Sequence, residues 1–310
     1  MPTILFAAAS ERWETYAPHL RAALQAEGLG DAVLGTDCDP ETVDYIIYAP
    51  NSQVQDFAAF PRLKAVLSLW AGVEGIVGNT SLRVPLTRMV DEGLSEGMVE
   101  WVTGHVLRHH LGIDTHIHGQ DGIWRPAAPP LARNRRVAIL GLGALGAACA
   151  SALAALNFNV SGWSRSPKSL VGIETHHGPD GLDACLTSAE ITVLLLPDTP
   201  ATENTLNART LALMPRGAVI LNPGRGPLID DSALLAALDT GQIGHATLDT
   251  FRIEPLPADH PFWAHPRVTV TPHIASETRA ETASECIARN IARAEAGQPL
   301  LHLVDRSLGY

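Results

Sequence analysis

Three ionisable side chains share one local setting. Arg225 follows the apolar run 218–221 and Asn222, Glu254 follows the run 246–248 and Asp249, and His273 follows the run Val268–Val270 with Thr271 and Pro272. A guanidinium holds a carboxylate and polarises a carbonyl beside it. An imidazole gives and takes a proton near neutral pH, and a carboxylate orients that imidazole and stabilises its charged form. Together they are the protein groups needed to protonate a carbonyl oxygen in a small anionic molecule, provided a second agent brings electrons to the carbon. Each residue type alone is common in surface loops. Their weight here comes from position: in an open parallel sheet the carboxyl ends of the strands border one crevice, where ligands bind.

The elements that must position them read as alternating strand and helix. Arg136–Leu140 is a short apolar run suited to a buried parallel strand. Gly141, Gly143 and Gly146 follow in the order G-x-G-x-x-G, and an alanine-rich helical run covers 144–156. This context makes the motif a dinucleotide cradle. Gly141 permits the tight turn, Gly143 lets a pyrophosphate approach the backbone, and Gly146 lets helix and strand pack closely. The N–H groups at the helix start, from Ala144 and Leu145 onward, then face the anion. Further strands are expected at 159–163, 191–196, 218–221, 246–248 and Val268–Val270, and helices at 231–238 and 276–296. Upstream, strands at Thr3–Ala7, Tyr45–Tyr48 and 65–69 surround a helix at 12–27, and a long helix covers 95–110. The expected fold class is α/β, with two doubly wound parallel sheets.

The end of the second strand of a dinucleotide unit meets the adenosine ribose, where an Asp or Glu selects a free 2′-hydroxyl. Here the stretch is Trp163-Ser164-Arg165-Ser166-Pro167-Lys168, without a carboxylate. Arg165 and Lys168 would attract a 2′-phosphate, with Ser164 and Ser166 offering hydroxyls, so NADP(H) is expected in preference to NAD(H).

Composition bounds the partners. The 310 residues carry a net charge of −11, which argues against nucleic acid as a partner. The four cysteines form no C-x-x-C pair and read as free thiols of a reducing compartment, and no run is long enough to span a membrane. A cytoplasmic location is therefore expected. His105 and His109 have the spacing of two ligands on a helix face, but no acidic or Cys cluster stands beside them, and no metal is expected. The segment 119–130 is loop-rich in Gly and Pro, and Trp124 is its one large anchor.

Taken together, SLWAGVEG from Ser68, GLGALG from Gly141, WSRSPKS from Trp163, LLPDTPATENTLN from Leu195, LNPGRG from Leu221, LDTFRIEPLP from Leu248, HPRVTVTPHIA from His265 and the closing VDRSLGY resemble the D-2-hydroxyacid dehydrogenases, most of all their glyoxylate/hydroxypyruvate reductase A branch. The resemblance spans nearly the whole chain. It implies a substrate domain from residues 1–97 and 277–310, with the cofactor domain, 98–276, inserted between them. It also implies a homodimer with the arm near Trp124 at its interface. By the same resemblance Arg225, Glu254 and His273 are catalytic, and backbone N–H groups around Trp70, Ala71, Gly72 and Val73 complete a carboxylate site. Leu196, Pro197, Thr202, Pro223, Gly224 and Asp249 line the cofactor, Asp249 on its nicotinamide side. One departure is Pro223-Gly224, where the family more often has a hydrophobic residue and Ala before the Arg. The reaction implied is NADPH-dependent reduction of small 2-keto acids, glyoxylate and hydroxypyruvate foremost, to the 2-hydroxy acids. The alternatives are the same chemistry on bulkier 2-keto acids, or a cofactor-sensing interaction protein without turnover.

Overall fold

Short runs of Val, Ile, Leu and Ala bounded by Gly, Pro or Asn form the strands, and their continuous rather than alternating hydrophobicity marks sheets covered on both faces. The computed structural model describes residues 1–310 and divides them into two units, Met1–Leu94 with Glu277–Tyr310, and Ser95–Ser276. The second is thus inserted in the chain of the first.

The first unit holds β1 (Thr3–Ala7), α1 (Trp13–Ala26), β2 (Val33–Gly35), β3 (Tyr45–Tyr48), β4 (Ala65–Ser68), the short α2 (Glu74–Val77) and β5 (Leu86–Thr87). The strands pair in parallel in the order β2-β1-β3-β4-β5. Tyr45, Ile46, Ile47 and Tyr48 of β3 are all buried. Helix α3 (Glu92–Leu111) carries the chain into the second unit, and α10 (Ala280–Glu295) returns to the first, where it packs against α1. The tail is tied down by Arg306, whose guanidinium donates to the carbonyls of Val77, Asn79 and Leu82.

The second unit contains α4 (Ile113–His118), β6 (Arg136–Leu140), α5 (Ala144–Ala155), β7 (Asn159–Ser164), β8 (Glu174–His177), α6 (Gly178–Ser188), β9 (Ile191–Leu194), α7 (Ala208–Leu213), β10 (Ala218–Asn222), α8 (Asp231–Asp239), β11 (Ile243–Leu248), the one-turn α9 (Pro261–Ala264) and β12 (Val268–Val270). Its seven strands are all parallel, ordered β12-β11-β10-β9-β6-β7-β8. Alternate residues of β6 feed two cores: Ala138 and Leu140 pack with Leu194, Ile220 and Leu248, while Val137 and Ile139 pack with Val106, Cys149, Leu153 and Val193. The direction of the crossovers reverses between β6 and β9, so the switch point falls where β6 ends.

All four cysteines are free thiols. Burial pushes the Cys149 thiol up to about 12 and that of Cys185 to about 11, so both are inert packing groups. No helix is long and apolar enough to cross a membrane. His109 is half-buried: its Nε2 lies 3.0 Å from Thr247 Oγ1 and its ring packs 4.9 Å from that of His245.

Candidate active site

The glycine motif stands at the switch point of the seven-stranded sheet. Gly141 has φ +107°, and its N–H donates to the Trp163 carbonyl at 2.8 Å. A Cβ at Gly141 would run into the Leu195 carbonyl beyond β9, and one at Gly146 would strike the carbonyl of Gly141. Both glycines are therefore required by close packing. Gly143 differs: it is the N-cap of α5, and nothing lies within 4 Å of the place a Cβ would take. That open space in front of the unpaired N–H groups at the helix start is the cradle a pyrophosphate needs, and the residues present fit a dinucleotide. Leu196 and Pro197 follow β9 at this edge. Thr202 Oγ1 donates to the Pro197 carbonyl at 2.6 Å, so Thr202 acts on the cradle by closing that loop.

At the end of β7, Arg165, Ser166 and Lys168 are exposed. Ser164 is not available as expected. Its side chain is buried and its hydroxyl donates to the Ser166 carbonyl at 2.7 Å, because the chain must turn sharply there.

The three chemical side chains stand on consecutive parallel strand ends of this unit. His273, after β12, has φ +54°, and its N–H donates to the carbonyls of Asp249, at 2.8 Å, and Thr271. Its Nδ1 lies 2.7 Å from Glu254 Oε2. The other Glu254 oxygen accepts the Phe251 N–H at 2.9 Å. The carboxylate is thereby fixed by its own loop and aimed at one ring nitrogen, leaving Nε2 of His273 for chemistry. Arg225 Nη1 donates to the Gly224 carbonyl at 2.7 Å. The Asn222 side chain brackets this loop from inside, accepting the Gly224 N–H at 3.2 Å and donating to the Arg225 carbonyl at 2.9 Å. Pro223-Gly224 fits this arrangement: both are buried, and a Cβ on Gly224 would come 2.7 Å from the Leu194 carbonyl. Gly226 lies so close to the backbone of Phe251 and Arg252 that no Cβ fits, so the Arg225 and Glu254 loops are packed on one another.

Asp249 is held by its neighbours. The carboxylate expected to face the nicotinamide side is 0% exposed. One oxygen accepts from Thr271 Oγ1 at 2.6 Å and the Ile274 N–H at 3.0 Å, and the other from the Ala275 N–H at 2.9 Å. A buried carboxylate needs such donors. They come from the His273 loop, so Asp249 clamps that loop.

Two supporting residues escaped the sequence reading. Asn222 had a signal, since an Asn directly after a strand commonly ties a turn through its amide. Arg252 had none. Its guanidinium donates to the carbonyls of Ile229, at 2.6 Å, and Pro227 and to the side chain of Asn204, and it lies 3.5 Å from Glu203. It knits the segment after Arg225 to the segment bearing Glu254.

In the first unit, the 70–73 loop follows β4. Trp70 is 46% exposed, so its indole is not a core group. Its N–H donates to Ser68 Oγ at 3.0 Å and its carbonyl accepts from the same hydroxyl. The expected backbone donors therefore reduce to those of Ala71, Gly72 and Val73. Arg88 is half-buried, and burial lowers the pKa of its guanidinium.

Comparison with known proteins identifies the family. A model of the D-isomer specific 2-hydroxyacid dehydrogenase NAD-binding domain matches residues 104–275. The chain belongs to the D-isomer-specific 2-hydroxyacid dehydrogenases. As a 2-hydroxyacid dehydrogenase it is an oxidoreductase with an NAD(P)-binding Rossmann unit. It is 40% identical, over 88% of its length and 89% of the relative's, to the glyoxylate/hydroxypyruvate reductase A of Serratia proteamaculans. Among solved structures it resembles a D-isomer specific 2-hydroxyacid dehydrogenase from Xanthobacter autotrophicus Py2 in complex with NADPH and MES. That match has 41% identity and a TM-score of 0.93, covering 100% of this chain and 99% of the other. An NADPH-dependent glyoxylate/hydroxypyruvate reductase from Sinorhizobium meliloti, in complex with NADP and sulfate, matches over the full length of both chains at 34% identity and a TM-score of 0.88.

Proposed function

We propose that this dehydrogenase reduces small 2-keto acids with NADPH, glyoxylate to glycolate and hydroxypyruvate to D-glycerate. The reading is carried by the 2.7 Å pair of His273 Nδ1 and Glu254 Oε2, on the unit that holds the dinucleotide cradle and on the strand end after those leading to Arg225 and Glu254. When bound, the reduced dinucleotide supplies the hydride that the carbonyl carbon gains. Arg225 holds the substrate carboxylate and polarises the carbonyl, fixing the face it presents. His273 gives its Nε2 proton to the carbonyl oxygen, which otherwise becomes an alkoxide. Glu254 keeps the imidazole oriented and stabilises its charged form before transfer. The sum is one hydride and one proton added across C=O, and the reverse reaction uses neutral His273 as base. The N–H groups of Ala71, Gly72 and Val73 contribute to carboxylate binding, and Trp70 favours substrates of two or three carbons.

Preference for NADPH over NADH is supported by exposed Arg165 and Lys168 and by the lack of a carboxylate between 163 and 168. It agrees with the NADP(H) named in the two structural relatives. A homodimer is supported by the apolar arm, where Ile117, Ile123, Trp124 and Leu131 are 60–89% exposed. The free thiols fit the cytoplasm, and the charge of −11 fits the absence of a nucleic-acid partner.

The test is oxidation of NADPH and NADH followed side by side with glyoxylate, hydroxypyruvate, pyruvate and phenylpyruvate. Fast use of NADPH with the two small acids is expected. Tight cofactor binding with no turnover of any keto acid overturns the reading. Light scattering of the wild type and of Trp124→Glu tests the arm: a dimer that the substitution dissociates is expected.

A further inference from the structure

In the first unit the chain leaves β1 toward β2 on one side and later places β3 on the other. The carboxyl ends of β1 and β3 therefore flank a second topological switch point, the position at which open parallel sheets take ligands. A cavity of about 90 Å³ opens there, floored by the residues just past β1, β3 and β4. Its functional groups are Arg12, Tyr16, Asn51, Trp70, Glu277 and Thr278, all within this unit. The space is small, which suits a short substituent.

The wall is polar but balanced in charge. Arg12 Nη1 and Glu277 Oε1 pair at 2.8 Å, with the side chains 51% and 66% exposed, so the pair lies at the mouth. Deeper in, Tyr16 is buried, and burial raises its hydroxyl to about 12, which keeps it a neutral donor. Glu277 is not free to wander from the cavity. The next residue, Thr278, donates its hydroxyl to the Leu69 carbonyl at 2.9 Å, tying the approach to α10 to the end of β4. Trp70 belongs both to this wall and to the loop read above as holding the substrate carboxylate.

We propose that this cavity receives the C3 substituent of the 2-keto acid and that the Arg12–Glu277 pair makes it selective for a neutral, hydroxylated group. This rests on the reading of the protein as a 2-keto acid reductase whose 70–73 loop binds the substrate carboxylate. A hydroxyl has partners of both kinds here: it donates to Glu277 and accepts from Arg12 or the Asn51 amide. A methyl group makes none of these hydrogen bonds. A second carboxylate meets Glu277, and like charges in contact disfavour binding. With Glu277 neutralised, Arg12 becomes an uncompensated cation facing the substituent, and the preference inverts toward an acidic one.

The experiment measures kcat/KM with NADPH for hydroxypyruvate, pyruvate and oxaloacetate, each divided by the value for glyoxylate, which has no C3. The wild type is expected to favour hydroxypyruvate over pyruvate by about tenfold, with oxaloacetate poorest. Glu277→Gln is expected to raise the oxaloacetate-to-hydroxypyruvate ratio about tenfold, and Arg12→Gln combined with it to abolish that gain. Ratios within twofold of wild type in Glu277→Gln overturn the subsite while leaving the reductase reading intact. A wild type that reduces none of the acids overturns the reading beneath it. If Glu277→Gln does not fold, Arg12→Gln alone decides: the hydroxypyruvate preference falls with no gain for oxaloacetate, or the ratios stay put and the proposal fails.

Discussion

Glu254→Gln removes one charge and one of the two acceptor oxygens. The glutamine carbonyl can still accept the Phe251 N–H that now binds Glu254 Oε1 at 2.9 Å, so the loop keeps its anchor. What disappears is the negative charge 2.7 Å from His273 Nδ1 and, with it, the acceptor for that ring nitrogen, because the amide NH2 now faces the ring. A unit-charge pair near contact distance is worth about 1 kcal/mol in water and about 4 kcal/mol where the effective dielectric is that of a protein surface. The side chains of His273 and Glu254 are 50% and 35% exposed, which places the pair between these limits, at about 1.5–3 kcal/mol. Because 1.36 kcal/mol is a factor of ten, kcat for keto acid reduction is expected to fall by about 10- to 100-fold. The affinity for NADPH, read by quenching of protein fluorescence, is expected to stay within about twofold, since the glycine cradle is untouched. Glu254→Asp keeps the charge but shortens the side chain by about 1.5 Å, so one carboxylate cannot reach both Phe251 and His273. Its kcat should fall between wild type and Glu254→Gln. A Glu254→Gln enzyme with kcat within twofold of wild type would refute the role given to this carboxylate.

Other outcomes follow from the same geometry. Arg165→Glu should raise KM for NADPH by about 10- to 100-fold while sparing NADH, since it exchanges a charged hydrogen-bond donor for a repelling group; equal effects on the two cofactors would place the 2′-phosphate elsewhere. Gly226→Ala should lower stability by about 1–3 kcal/mol in urea and reduce kcat, because its methyl group must part the Arg225 loop from Phe251 and Arg252; an unchanged midpoint would contradict that contact. Burial pushes the pKa of His109 down to about 3 and that of His245 to about 4, with Arg108 adding to the shift and Asp114 opposing it. The unfolded chain takes up these protons near pH 6.5 and the folded protein does not, so stability should be full above that value. Between pH 6.5 and about 4 it should decline by about 1–3 kcal/mol per unit, as urea midpoints would show. A midpoint that rises as pH falls through this range would reverse the assignment.

The sheets were legible where strands are buried on both faces. Thr3–Ala7, Arg136–Leu140 and Tyr45–Tyr48 coincide with their apolar runs. The strands that went unread lie at sheet edges. Val33–Gly35 and Glu174–His177 are partly exposed, and Leu86–Thr87 is only two residues long, so none carries a continuous apolar signature. Helix Gly178–Ser188 was hidden for a different reason, beginning at Gly-Pro, a pair that reads as a turn. For the site, position after a strand was enough to single out Arg225, Glu254 and His273. It could not say where a side chain turns. Asp249 and Glu254 are both carboxylates following β11, yet one is drawn inward by three donors of the His273 loop and the other outward to the imidazole. Ser164 and Trp70 show the same limit, since each spends on a local turn a group expected to face a ligand.

We propose His273, paired with Glu254, as the group that protonates the carbonyl oxygen. This role is tested most directly by single-turnover loss of reduced-nicotinamide absorbance after glyoxylate is mixed with the NADPH-loaded enzyme, comparing wild type with His273→Asn. At least about a hundredfold slower turnover is expected in the variant, with NADPH binding retained. Equal single-turnover rates in the two enzymes would contradict it.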